Sequence, residues 1–124
     1  MNYFADSTAC REAGITYHLV PTDAWKTAKD DEWYKPAPFE SDGFIHCTNG
    51  IDQLITVGNW FYTADDRDFC VLVLDVAKLR SDVRYDDAEQ LFPHIYGLLN
   101  TDAVLVVFTV SRAEDGTFLS VEQH

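Results

Sequence analysis

Apolar residues along this chain follow two rhythms. Ile15-Thr16-Tyr17-His18-Leu19-Val20 is β-branched and aromatic and stops at Pro21, which predicts a strand. Thr22 or Asp23 can then cap a short helix carrying Ala24, Trp25 and Ala28. Lys35-Pro36-Ala37-Pro38 interrupts regular structure and predicts an extended loop. A short buried strand is expected over Gly43-Phe44-Ile45-His46-Cys47. After Thr48 and Asn49, both good helix caps, Ile51, Leu54, Ile55, Gly58, Phe61 and Tyr62 recur at helical spacing. Phe69 to Leu74 and Ala103 to Val110 are continuous apolar runs, the pattern of central strands covered on two faces. Between them, Leu79 to Tyr85 predicts a turn and a short strand. Leu91 to Gly97 predicts a loop or edge segment, because Pro93 cannot donate to a ladder. Asp115-Gly116 is a turn signal, with Thr117-Phe118-Leu119 as an edge strand.

Residues 1–13 lack periodicity and are expected to be an N-terminal extension, with one domain over 14–124. Strands outnumber helices and the two clear helices come early. That order predicts a small α+β domain with a mixed, mostly antiparallel sheet and two main helices. A doubly wound nucleotide fold is disfavoured, since neither a glycine-rich dinucleotide fingerprint nor a phosphate loop occurs.

Charge narrows the partners. The formal net charge of −12 repels phosphate backbones and anionic lipid, so nonspecific nucleic-acid binding and membrane association are not expected. No apolar run approaches the roughly 20 residues of a membrane span. Met1 to Asp6 has neither the basic start nor the apolar core of a signal peptide, so a cytoplasmic protein is expected. Cys10, Cys47 and Cys70 are widely spaced, form no Cys-x-x-Cys pair and read as reduced thiols.

The candidate chemistry lies in three histidines. His18 stands on the first strand, His46 on the strand before the second helix, and His94 follows Phe92-Pro93. Imidazole titrates near neutrality, binds metals and both donates and accepts hydrogen bonds. Each has a structural reading: His18 and His46 as hydrogen-bonded core residues, His94 as the anchor of its loop. Together they point to a shared polar site. Strand alternation puts Thr16, His18 and Val20 on one face, and puts Phe44 and His46 opposite Ile45 and Cys47. His46 and Cys47 therefore cannot form a nucleophile pair, and Cys47 reads as structural. Ser41-Asp42-Gly43 and Thr48-Asn49 read as a turn and a helix cap. Alternatively they hold an anionic ligand at the helix N-terminus.

Three motifs carry a family resemblance: Tyr17-His18-Leu19-Val20, Asp42-Gly43-Phe44-Ile45-His46-Cys47-Thr48, and Leu91-Phe92-Pro93-His94-Ile95-Tyr96-Gly97. In order and spacing, over residues 15 to 112, the chain resembles the bacterial domain-of-unknown-function family 952. The resemblance implies an ADP-ribosyltransferase-like fold, a split sheet that grips NAD. It places His18 at the first-strand position that hydrogen-bonds a ribose. His46 becomes the polar member of the second motif, and His94 with Tyr96 closes the site. The third motif of such transferases often carries Glu; here none lies within the segment, and Glu89 precedes it. Breaking an N-glycosidic bond develops positive charge that a carboxylate stabilises, so classical ADP-ribosyl transfer is in doubt. Leu98 stands where the family commonly has Pro.

Three functions follow as expectations. In the first, NAD or a related nucleotide binds a cleft with His18, His46 and His94 as catalytic groups and Ser41, Thr48 and Tyr96 as ligand contacts. In the second, the same fold is a non-catalytic module that binds a small molecule or a protein. In the third, the three imidazoles hold a metal with an open position, although no pair stands at i, i+4.

Overall fold

The apolar run from Phe69 to Leu74 becomes the middle of the molecule. A computed structural model describes residues 6–122. The elements run α1 (Ser7–Ala13), β1 (Ile15–Pro21), α2 (Thr22–Ala28), β2 (Trp33–Tyr34), α3 (Phe39–Asp42), β3 (Ile45–His46), α4 (Ile51–Phe61), β4 (Phe69–Asp75), β5 (Asp82–Tyr85), β6 (Pro93–Tyr96), β7 (Leu99–Asn100), β8 (Val104–Arg112) and β9 (Phe118–Glu122). They form a four-stranded sheet in the order β1-β4-β8-β9, a pair β2-β7 and a three-stranded sheet β3-β6-β5. The fold is α+β.

Alternation along β4 organises the core. Val71 and Val73 face Cys10 of α1, Tyr17, Leu54 of α4 and Phe108. Cys70, Leu72 and Leu74 face Val20, Trp25, Tyr34, Ile45, Cys47, Ile95 and Leu99. Helices α1 and α4 thus cover one face of the large sheet, while α2 and the two small sheets cover the other. Every side chain from Phe69 to Leu74 is buried, as a strand covered on two faces requires.

The structure corrects several expectations. Every strand pairing among the described residues is antiparallel, so the sheet is not mixed. Among the described residues there are four α-helices where two main helices were expected, because α1 and α3 are too short to show a period. Within the segment expected as an extension, residues 7–13 form α1. Asp6 caps it by accepting from the N–H of Ala9 at 2.8 Å, Gly14 ends it in the left-handed conformation (φ 70°), and Cys10 is fully buried. Residues 1–5 of that segment lie outside the described residues. β8 is covered less evenly than β4, and Leu105 remains 46% exposed. The segment expected as a loop or edge, β6, is the centre of the three-stranded sheet. Pro93 is tolerated because it opens the strand, where its carbonyl still accepts from the N–H of Cys47 at 3.0 Å.

Cys10, Cys47 and Cys70 are all buried thiols. No helix among the described residues is long and apolar enough to cross a membrane.

Helix α4 meets β9 at Gly58. A Cβ there would stand 2.8 Å from the Phe118 ring. Helix propensity alone would favour Gly58→Ala by about 1 kcal/mol. The clash should outweigh it, for a net loss of about 1–2 kcal/mol in urea unfolding; a stabilised variant would mean that the Phe118 ring gives way freely.

Candidate functional site

The large sheet and the β3-β6-β5 sheet are stitched together beside His18. Tyr17 donates its backbone N–H to the Thr48 carbonyl at 3.0 Å, and Thr48 returns the bond at 2.8 Å. This bridge carries the outer edge of β1 past the end of β3. It sets the His18 imidazole under the His46 backbone, with Nδ1 2.7 Å from the carbonyl oxygen. A carbonyl can only accept, so Nδ1 carries the proton and Nε2 is left to accept from the Tyr34 hydroxyl at 3.2 Å. Burial is the main force on this ring and lowers its pKa to about 4; the bond to the His46 carbonyl works against that shift. His18 is therefore a neutral, oriented imidazole. Burial also raises the Tyr34 hydroxyl, so it stays protonated and donates.

His18 and Tyr34 form the polar end of a cavity of about 180 Å³ between the two sheets. Its wall is otherwise largely apolar, with Leu19, Pro36, Phe44 and Phe69 contributing, and Thr48 and Tyr62 adding hydroxyls. Arg67 is the one lysine or arginine on it, and its guanidinium is already clamped by Asp65 at 2.6 Å.

His46 lines this cavity too, and His46 and His94 together line a second surface beside it. They are direct partners across β3 and β6, with ring centroids 5.4 Å apart. Phe44 lies between them, stacked on His94 at 4.0 Å and tilted against His46 at 4.6 Å. Each ring is tied to a carboxylate: His46 Nε2 to Asp42 at 2.9 Å, and His94 Nδ1 to Asp86 at 2.9 Å. Asp86 also accepts from the Tyr96 hydroxyl. These two bonds, Tyr96 first, hold the Asp86 carboxyl below the usual carboxylate range. Arg84 lies over the Tyr96 ring at 4.9 Å. Outside this surface a second groove, of about 350 Å³, runs between β6 and the end of α4. His46, Thr48 and Val57 form the wall it shares with the cavity beside His18.

The three histidines therefore do not line one cleft. His18 and His46 line the cavity, His46 and His94 line the second groove, and His18 and His94 share neither; the His18 ring bonds only the main chain of His46. Thr48 lines both spaces. Ser41 lines neither; its hydroxyl donates to the Pro38 carbonyl at 3.1 Å. Tyr96 lies beyond His94, on the Asp86 side. The three-histidine metal site lacks its geometry, since both nitrogens of His18 are engaged. Among the described residues no cluster of three His, Cys, Asp or Glu could hold a metal ion. Cys47 is buried opposite His46, and burial raises its thiol pKa, as a structural cysteine requires.

Sequence reasoning missed Tyr34 and Asp86 as site residues, and read Asp42 as part of a turn or an anion-holding end and not as the partner of His46. Asp42 stands four residues before His46 and could have been read as its partner. Asp86 meets His94 and Tyr96 only because β5 and β6 form a hairpin, with Arg84 paired to His94 and Asp82 to Tyr96. Glu89, the nearby carboxylate in sequence, is exposed.

The neutral His18 makes a pH signature. Above pH 6.5 neither state binds its proton and the full stability is present. As pH falls from 6.5 toward 4 the unfolded chain takes up a proton that the folded one refuses, and about 3 kcal/mol is lost once the fall is complete. The stability gap between the native protein and His18→Gln, from urea titrations, should narrow by about 2 kcal/mol between pH 7 and 4.5. A constant gap would mean that the ring protonates inside the fold.

Compared with known proteins, residues 19–107 match the family model described as "Protein of unknown function (DUF952)". No curated protein matches the sequence. The fold is similar to a crystal structure of protein CC0527 from Caulobacter crescentus, with a TM-score of 0.71 and 20% identity over 85% of this chain and 93% of that one. The solution NMR structure of the same protein gives a TM-score of 0.66 and 22% identity over 89% and 92%. Likeness at that identity concerns the fold alone.

Proposed function

We propose, from the premise that the chain belongs to the DUF952 family, that it is a small-molecule-binding protein with an ADP-ribosyltransferase-like cleft. Its cavity between the sheets takes one flat heterocyclic ring, of the kind NAD carries as nicotinamide. The observation that carries this reading is the cavity itself: about 180 Å³, apolar, with the oriented His18–Tyr34 pair at one end. An apolar cavity of about 150 Å³ accommodates a benzene ring, so the space suits a single ring and leaves any ribose or phosphate at the mouth. A ring with one acceptor or donor can complete its hydrogen bonding on Tyr34, Thr48 or Tyr62.

The geometry favours binding over group transfer. Cleaving a bond to ribose calls for a carboxylate close to the developing charge. No Asp or Glu lines the cavity beside His18 among the described residues, and Asp86 lies in the neighbouring groove beyond His46. His18 serves as a fixed polar wall in this reading, not as an acid or base at neutral pH.

Thermal-shift titration tests it. Nicotinamide and NAD should raise the melting temperature; at one hundred times Kd a ligand stabilises the fold by about 2.7 kcal/mol. Ala37→Trp, at an exposed lining position, should fill the mouth and abolish the shift without lowering the ligand-free melting temperature. ADP-ribose, which lacks the ring, should act weakly. No shift with any of the three would overturn the reading.

A further inference from the structure

The second groove presents more aromatic surface than a solvated helix face needs. Val57, Trp60 and Phe61 stand at i, i+3 and i+4 of α4 and all line it. Trp60 is 65% exposed and Phe61 71%. Their ring planes meet at 86° with centroids 6.3 Å apart. The rings meet edge to face, and the π faces they leave exposed carry the negative potential that attracts a cation with an apolar shell. Phe92 adds a third ring to the lining.

Charge completes the picture. Asp86 and Asp87 line the same groove. Asp86 is kept ionised by the hydrogen bonds from Tyr96 and His94. Asp87 is fixed in place, its carboxylate accepting from the backbone N–H groups of Leu91 at 2.7 Å and Phe92 at 3.2 Å. No Lys or Arg lines the groove among the described residues. We propose that this groove binds a small organic ammonium cation, its alkylated nitrogen against Trp60 and Phe61 and its charge balanced by Asp86 and Asp87.

The alternatives fit less well. A purely apolar occupant would desolvate two carboxylates with nothing to offset their charge. An anion would meet those carboxylates and a net charge of −12. A bare metal ion would gain little from three aromatic rings. The groove is a few hundred Å³, the scale of a small-molecule site. The proposal does not depend on what fills the cavity beside His18.

Choline is the probe, and its analogue with carbon in place of the quaternary nitrogen is the control. Calorimetric titration at pH 8 and low salt should give saturable choline binding, with the neutral analogue at least about tenfold weaker. Trp60→Ala and Asp86→Asn should each weaken choline about fivefold or more. Trp60 is exposed, so its variant should keep the native melting temperature. Failure of choline to bind overturns the proposal, and so does equal binding of the neutral analogue, which would mark a plain apolar groove. Capture of a trimethyl-lysine peptide without choline binding would overturn it too, by assigning the groove to a protein partner.

Discussion

Two backbone hydrogen bonds between Tyr17 and Thr48, with the His18 bond to the His46 carbonyl beside them, hold the large sheet against the small one. Everything of functional interest depends on that seam. It leaves a cavity between the sheets instead of a continuous core, and it makes one imidazole part of the cavity wall. It also turns the opposite faces of His46 and Thr48 toward a second groove. Burial makes the seam exacting: the imidazole can stay there only if it is neutral and both of its nitrogens are engaged, which Tyr34 and the His46 carbonyl accomplish.

The parts of the fold that were legible in the sequence are those whose pattern is local. The β-branched run at Ile15 to Val20 and the apolar run at Phe69 to Leu74 are strands, and the helical spacing from Ile51 to Phe61 is α4. Alternation also sorted Cys47 from His46 correctly, because a side-chain period of two survives even in a very short strand. What the sequence hid is non-local or brief. Helix α1 has seven residues and buries one cysteine, too little to make a period. The central place of β6 depends on the distant β3 as well as on its hairpin partner β5, and a proline argues against it until the strand's first position is known.

The candidate site divides in the same way. The three histidines stood out by residue type, but burial assigns them different chemistry. His18 is buried, neutral and oriented by neighbours that do not ionise at ordinary pH. His46 and His94 lie on an outer face and are each matched to an aspartate. Asp86 was invisible as a site residue because its meeting with His94 is made by a hairpin. Tyr34 was hidden for a similar reason: it arrives on a two-residue strand after an irregular stretch, and only its pairing with Leu99 fixes where its hydroxyl ends.

The pairing of Ile15 with Asp75 has a kinetic meaning. Strand β1 finds its neighbour only after the chain has closed a loop that contains α2, β3 and α4, and such distant pairings slow folding. The seam at Tyr17 and Thr48 is another non-local contact with its own loop to close, the kind of interaction that can form after the folding transition state. Interactions made late contribute little to the folding transition state, and strengthening them mainly retards unfolding. A molecule lodged between the sheets would thus act as a latch: it would lengthen the lifetime of the folded chain far more than it hastened the chain's arrival there.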